Sequence, residues 1–366
     1  MLPYVPVVLL RSESPADETD EGRGPLPACF LPSASSRSRI SNAEQAIIMV
    51  ELGYKLSSEE HTPNDLIANA RRAEEVGFGF GMISDHYHPW VDKQGQSPFV
   101  WSVIGGISQV TSRFSVVTGV TCPTVRIHPA IVAQAAATSA MLLPGRFMLG
   151  VGTGENLNEH ILGTTWPSAA VRREMLEEAI QVMRALWKGE DTNHRGCHYT
   201  VENARIYSLP KQPPPIFVAA SGEKAAELAA RAGDGLVATA PNKELIETFE
   251  QGGGKGKPRY AELTVCWAAD EVSAKKTARE VWPISALGGE LSQELPLPRH
   301  FEQAAETVRE EDVAKTVPCG PDPEKHRAAL QKYVDAGFDH VAIHQVGPDQ
   351  EGFFRFYQKE ILPKFR

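Results

Sequence analysis

Arg71-Arg72-Ala73-Glu74-Glu75-Val76-Gly77-Phe78 runs into Gly79-Phe80-Gly81-Met82-Ile83-Ser84. The first stretch has the period of an amphipathic helix, and its glycine can take the left-handed conformation that ends one. The second reads as a short buried strand. The step recurs. Leu228-Ala229-Ala230-Arg231-Ala232-Gly233-Asp234 leads into Gly235-Leu236-Val237-Ala238-Thr239, and Tyr333-Val334-Asp335-Ala336-Gly337-Phe338-Asp339 leads into His340-Val341-Ala342-Ile343-His344. A repeated helix–Gly–strand unit implies parallel strands joined by crossover helices.

Apolar runs at 51–56, 115–121, 146–151, 216–220 and 261–267, with 80–84, 235–239 and 340–345, make eight candidate strands. They are nearly continuous, as strands buried on both faces should be. Helical patterns fall between them at 63–76, 100–109, 129–143, 171–187, 224–232 and 324–336; in the fourth, Leu176, Ile180, Met183 and Trp187 form one stripe. The count fits a (β/α)8 barrel. A doubly wound open sheet is the alternative, but no glycine loop follows the first strand. The stretch 284–320 has no clear period and reads as an insertion covering one end of the barrel.

The chain has 366 residues, 42% apolar, with a formal charge of -9. That balance argues against a nucleic-acid or anionic-membrane surface. No window reaches the roughly 18 consecutive apolar residues of a spanning helix. Cys29, Cys122, Cys197, Cys266 and Cys319 are odd in number and form no CxxC. Reduced thiols in a cytoplasmic protein fit this better than a disulfide framework or a zinc site. Residues 11–45 are rich in Ser, Pro, Arg and acids, so residues 1–48 read as a disordered extension and Met49 as a candidate true start. Met1–Leu10 lacks a basic flank, which argues against a secretory signal. Residues 49–366 read as one domain.

Groups just after barrel strands line the C-terminal face, where barrel active sites form. Here these are Glu59, then Asp85-His86 and Trp90, then Gly119-Val120-Thr121-Cys122, then Thr153-Gly154-Glu155 and Asn158, then Ser221-Gly222-Glu223-Lys224 and Thr239. A carboxylate, an imidazole and an indole within six residues suit proton transfer beside a flat cofactor. A lone His86 would read as structural; its place after a strand, between Asp85 and Trp90, favours catalysis. Glu155 reads either as a second acid–base group or as a carboxylate favoured by a helix N-terminus. His88 and Cys122 read as packing residues. Ser221-Gly222 opens a helix and forms a plausible phosphate cradle. No HxH, HExxH or carboxylate cluster suggests a metal.

Gly53-Tyr54-Lys55, Ser84-Asp85-His86 with Trp90, and Gly150-Val151-Gly152-Thr153-Gly154-Glu155 with Asn158-Glu159 together resemble the luciferase-like family, in particular its coenzyme F420-dependent glucose-6-phosphate dehydrogenase branch. The resemblance covers residues 51–366. It implies a TIM-like barrel, a homodimer, and F420 at the C-terminal ends of the strands. It places Asp85, Gly119, Val120, Thr153, Gly154 and Asn158 on the deazaflavin, and Ser221, Gly222, Lys224 and Ala225 on its phosphate tail. Glu59, Trp90 and Thr239 fall on the substrate side, and His86 and Glu155 become the acid–base pair. It also places a non-proline cis peptide at Gly119-Val120. The three cations that hold a sugar phosphate in that branch are replaced: Asn242 stands at the first position, Thr316 at another, and 291–294 has no base. Without fixed cations a phosphate dianion is poorly held. The expected substrate is therefore an alcohol, an unphosphorylated sugar or a carbonyl compound, unless Lys243 or Arg299 has taken over. The alternatives are an FMN-dependent monooxygenase and a catalytically silent cofactor-binding barrel.

Overall fold

A computed structural model describes residues 50–365. The extension 1–48 and Met49 lie outside the described residues. The quoted stretch folds as its pattern dictates. Helix α1 (Pro63–Val76) opens on Pro63 behind Thr62, whose side chain accepts from the Asp65 N–H. It closes on Gly77 at φ 107, and the Gly77 N–H returns to the Ala73 and Glu74 carbonyls. A side chain would be strained in that left-handed conformation.

Eight parallel strands close into a barrel: β1 (Glu51–Leu56), β2 (Phe80–Ile83), β3 (Ser115–Thr118), β4 (Phe147–Val151), β7 (Ile216–Ala219), β8 (Gly235–Ala238), β9 (Arg259–Val265) and β10 (His340–Gln345). β10 closes the ring on β1, with Gly53 opposite Ala342 and Tyr54 opposite Ile343. β5 (Thr192–Arg195) and β6 (Thr200–Ala204) form a separate antiparallel ribbon. Helix α2 (Val100–Val110) follows β2 and helix α3 (Pro129–Leu142) follows β3.

Period-two alternation sends one set of side chains into the barrel and the other out to the helices. Phe80, Met82, Val117, Met148, Phe217, Val237, Tyr260 and Ala342 fill the interior. Outward residues such as Leu52, Val116, Leu149, Val218 and Val341 join the helices in the main core. The stripe Leu176, Ile180, Met183 and Trp187 packs there, as does the C-terminal cluster Phe353, Phe354 and Tyr357, against Tyr54 and Phe78.

Three differences from the sequence reading bear on the barrel mouth. β9 runs from Arg259 to Val265 instead of 261–267, because Cys266 leaves the ladder for a single bridge with Cys319. β3 stops at Thr118, where the cis peptide Gly119–Val120 turns the chain; Thr121 then makes one bridge to Val151. The stretch 284–320 is ordered into short helices at Leu291–Glu294, Pro298–Ala304 and Glu310–Val313. It does cover the barrel mouth: Phe301, Leu295, Leu287 and Ile284 pack with Trp90 and Leu157. No described helix is long and apolar enough to cross a membrane.

Candidate active site

The loop after β2 carries His86 into the barrel mouth. Its Nδ1 lies 3.2 Å from the His88 carbonyl oxygen. A carbonyl only accepts, so Nδ1 carries a proton and, in the neutral ring, Nε2 presents its lone pair. That Nε2 lies 3.4 Å from Glu59 Oε1 and 3.3 Å from Glu155 Oε2. One imidazole nitrogen thus stands between two carboxyl groups from the loops after β1 and β4. The ring packs 5.1 Å from Trp90, and Trp90 meets Phe301 of the insertion edge-on at 5.2 Å.

The two carboxyls differ. Burial opposes ionisation of Glu59, but His86, Lys55 and the Ser84 hydroxyl outweigh it and hold Glu59 below the usual carboxylate range. Ser84 Oγ donates to Glu59 Oε2 at 2.5 Å and Ser57 Oγ donates to the same oxygen at 3.1 Å. Glu155 is pushed up by burial and by the Glu59 charge, against the pull of His86 and Lys55. Environment alone therefore favours the anion of Glu59 and disfavours that of Glu155, so the two carboxyls are pushed apart.

Glu155 is the N-cap residue of the short helix Asn156–Glu159 but makes no capping bond; its Oε2 instead accepts from Asn158 Nδ2 at 3.0 Å. Asn158 Oδ1 accepts the Tyr87 and His88 N–H groups at 2.9 and 3.2 Å, which ties the His86 loop to the Glu155 loop. His88 packs as expected, its Nδ1 2.9 Å from the Leu157 carbonyl. Gly154 has φ +84, and a Cβ there would meet Cys122 Sγ at 2.5 Å. Only glycine allows the loop to lie so close to the buried Cys122.

The Asp85 carboxylate is already engaged. Oδ2 accepts from Thr121 Oγ1 at 2.8 Å and Oδ1 accepts from Arg126 Nη2 at 2.9 Å. Arg126 also reaches Glu159, its backbone N–H donating to Oε2 at 2.6 Å. Arg126 is a site residue the sequence reading missed. It follows β3 within Thr124-Val125-Arg126, where no spacing marks it.

Ser221 and Gly222 are exposed after β7, and Gly222 caps the ten-residue helix Glu223–Ala232 without a side-chain bond. The first N–H groups of that helix have no side-chain cap, Lys224 is exposed beside them, and Ala225 is half-buried. A phosphate fits this end by charge and by donor set. Thr239 is exposed after β8, and its carbonyl accepts from the Tyr333 hydroxyl at 3.2 Å. Among the described residues no group of three or more His, Cys, Asp or Glu could hold a metal ion.

The barrel carries one imidazole between two glutamates at its C-terminal mouth, and this architecture is that of the luciferase-like class of α/β barrels. The sequence profile of that family, described as luciferase-like monooxygenase, matches residues 46–340, and the chain belongs to it. The chain is 37% identical over 331 residues to an F420-dependent glucose-6-phosphate dehydrogenase of Microbacterium testaceum (strain StLB037), covering 87% of this chain and 98% of the relative. It is 36% identical over 330 residues to the enzyme of the same name from Beutenbergia cavernae, with the same coverage. Among solved structures it resembles an F420-dependent secondary alcohol dehydrogenase in complex with an F420–acetone adduct, with a TM-score of 0.80, 30% identity, and coverage of 87% of this chain and 99% of that one.

Proposed function

We propose that the protein is a coenzyme F420-dependent oxidoreductase. It moves a hydride between a carbinol carbon, or the corresponding carbonyl, and C5 of the deazaflavin. The observation that carries this reading is His86 Nε2 poised between a low-pKa Glu59 and a raised Glu155. F420 fits the residues present: the uncapped helix end at Ser221-Gly222 with Lys224 and Ala225 suits a phosphate tail. Gly119, Val120, Thr153, Gly154 and Asn158 line the turns at the barrel mouth, and Asp85 underlies them. When bound, the deazaflavin supplies the two-electron hydride acceptor. His86 Nε2 accepts the substrate hydroxyl proton. Glu59, ionised, stabilises the imidazolium that forms. Glu155, whose carboxyl is pushed up by burial, is the acid of the pair. Trp90, backed by Phe301, excludes water from the His86 face.

The substrate carries no phosphate. Asn242 is spent as a helix cap, its Oδ1 accepting from the Leu245 N–H at 3.2 Å. Lys243 lies 3.8 Å from Glu247, and the Thr316 hydroxyl donates to the Val313 carbonyl at 3.2 Å. In 291–294, Gln293 and Glu294 accept from Arg172, so that position presents a carboxylate instead of a cation. F420-coupled turnover across secondary alcohols, free sugars and sugar phosphates tests this. Efficient oxidation of glucose 6-phosphate contradicts it.

The protein acts as a homodimer through α2 and α3. Their outward residues include Val110, Ile131, Gln134, Thr138, Met141 and Leu142, with no Asp, Glu, Lys or Arg in either helix. In a chain that is 23% charged this uncharged face fits a partner better than water. Among the described residues the four cysteines are all free, which supports a reducing compartment, the cytoplasm.

A further inference from the structure

The barrel interior changes character along its axis. Below, it is apolar and aromatic. Just under the catalytic loops it becomes ionic. Lys55 of β1, Glu262 of β9 and His344 of β10 all point inward there and are almost fully buried. Lys55 Nζ lies 2.6 Å from Glu262 Oε2 and donates to the Gly119 carbonyl at 3.2 Å. His344 lies 3.5 Å from Glu262 Oε1 through Nδ1 and 2.7 Å from Glu60 Oε1 through Nε2. Glu60 shares the Ser57 hydroxyl with Glu59, and Trp282, just before the insertion, closes edge-on over His344 at 4.5 Å. The chain of contacts therefore runs from Gly119 through Lys55, Glu262, His344 and Glu60 to Glu59, which touches His86.

Burying four ionisable groups is costly, and an apolar layer of the same size is often as stable or more so. Fold stability is thus a weak reason for this layer. Its position is a better one. The Lys55 charge favours the anions of both Glu59 and Glu155. Burial would push Glu262 up, but Lys55 and His344 overcome it and hold Glu262 down to about 2, so the partner of Lys55 stays charged.

We propose that Lys55 is a positioning residue for the His86 proton-transfer group: clamped by Glu262, it fixes the Gly119 backbone at the cofactor side and sets a constant positive charge beneath the Glu59–Glu155 pair. The role rests on the F420 oxidoreductase reading above, but its electrostatic consequence is measurable without turnover. The charged groups that interact with Lys55 are Glu262, Glu59 and Glu155 and, through Glu262, His344 and Glu60. Removing its charge disfavours both active-site carboxylates, whereas removing the Glu262 charge favours them.

The test is the titration of Glu155 in protein carrying 13C-labelled glutamate, its signal assigned by loss in Glu155→Gln. The variants are Lys55→Met/Glu262→Gln, which leaves no orphan charge, and Glu262→Gln alone. The double variant moves the Glu155 midpoint up by about half a pH unit or more, and the alkaline limb of kcat/KM, which reports loss of the Glu155 proton, moves with it. Glu262→Gln alone leaves the midpoint in place or lowers it. A double variant that folds, as its melting curve reports, yet leaves the midpoint unmoved overturns the proposal. So does an upward shift of equal size in Glu262→Gln. If the double variant does not fold, Lys55→Gln alone replaces it: a raised Glu155 midpoint upholds the role of the charge, and an unmoved one overturns it. Absence of any F420-linked turnover in the unmodified protein, with the midpoint shifts intact, would instead sink the functional reading.

Discussion

Replacing Arg126 by Met removes the one cation between Asp85 and Glu159. The three side chains are 7%, 1% and 1% exposed, so water cannot replace the guanidinium. Asp85 keeps the Thr121 hydroxyl and Glu159 keeps the Arg126 backbone N–H, but two like charges remain buried together. Breaking a buried ion pair from one side costs about 3–5 kcal/mol. The loss has a pH signature. Burial already pushes Glu159 up, even with Arg126 present. Without Arg126 it rises further, and a carboxyl raised above its unfolded value loses stability as pH increases through that window. Urea denaturation should therefore show a larger deficit at pH 8 than at pH 5. Asp85→Asn added to Arg126→Met removes one of the two charges and should recover more than half of the deficit at pH 8. A loss under about 1 kcal/mol, equal at both pH values and unrelieved by Asp85→Asn, would refute the reasoning.

Phe301→Ala empties a fully buried site behind Trp90; it should cost about 3–5 kcal/mol in urea denaturation and raise KM more than it lowers kcat. For His344, burial alone would lower the imidazole, but Glu262 and Glu60 raise it to about 9. The stability it contributes is complete below about pH 6.5 and is lost as pH rises to 9. The span is about 3 kcal/mol, read as the difference between unmodified protein and His344→Gln across that window. Glu155→Gln cannot give up a proton as a carboxyl does; it should lower kcat by about 100-fold or more while F420 affinity, read by titration, changes little.

Most of the fold was legible because its punctuation is local. Gly77 and Gly337 end helices at positive φ, and the strands between are too apolar to sit anywhere but inside. β1 and β10 fall on the residues their apolar runs mark. The ribbon β5–β6 was missed because Thr192–Arg195 and Thr200–Ala204 are short and mostly polar. The insertion was placed by default, as the stretch without a period; that Phe301 backs Trp90 is a tertiary fact no window contains. His86, Glu155 and Glu59 were legible from their places after strands, and the structure brings them around one nitrogen. Arg126 and the Lys55–Glu262–His344 layer were not. Their partners lie 41, 207 and 82 positions away in sequence (126 - 85, 262 - 55, 344 - 262), and each residue alone looks like an ordinary charge. Asp85, expected on the cofactor, accepts from Thr121 and Arg126 through its two oxygens, a pairing no local pattern marks.

The central claim is that His86, between a Glu59 held low and a Glu155 pushed up, serves hydride transfer to a deazaflavin. It is tested most directly by following loss of the oxidised F420 absorbance with a secondary alcohol, for unmodified protein and for His86→Asn, with FMN in parallel. The account predicts reduction of F420 and not of FMN by the unmodified protein, and F420 binding without turnover in His86→Asn. Undiminished turnover in His86→Asn, or binding and reduction of FMN in preference to F420, would contradict it.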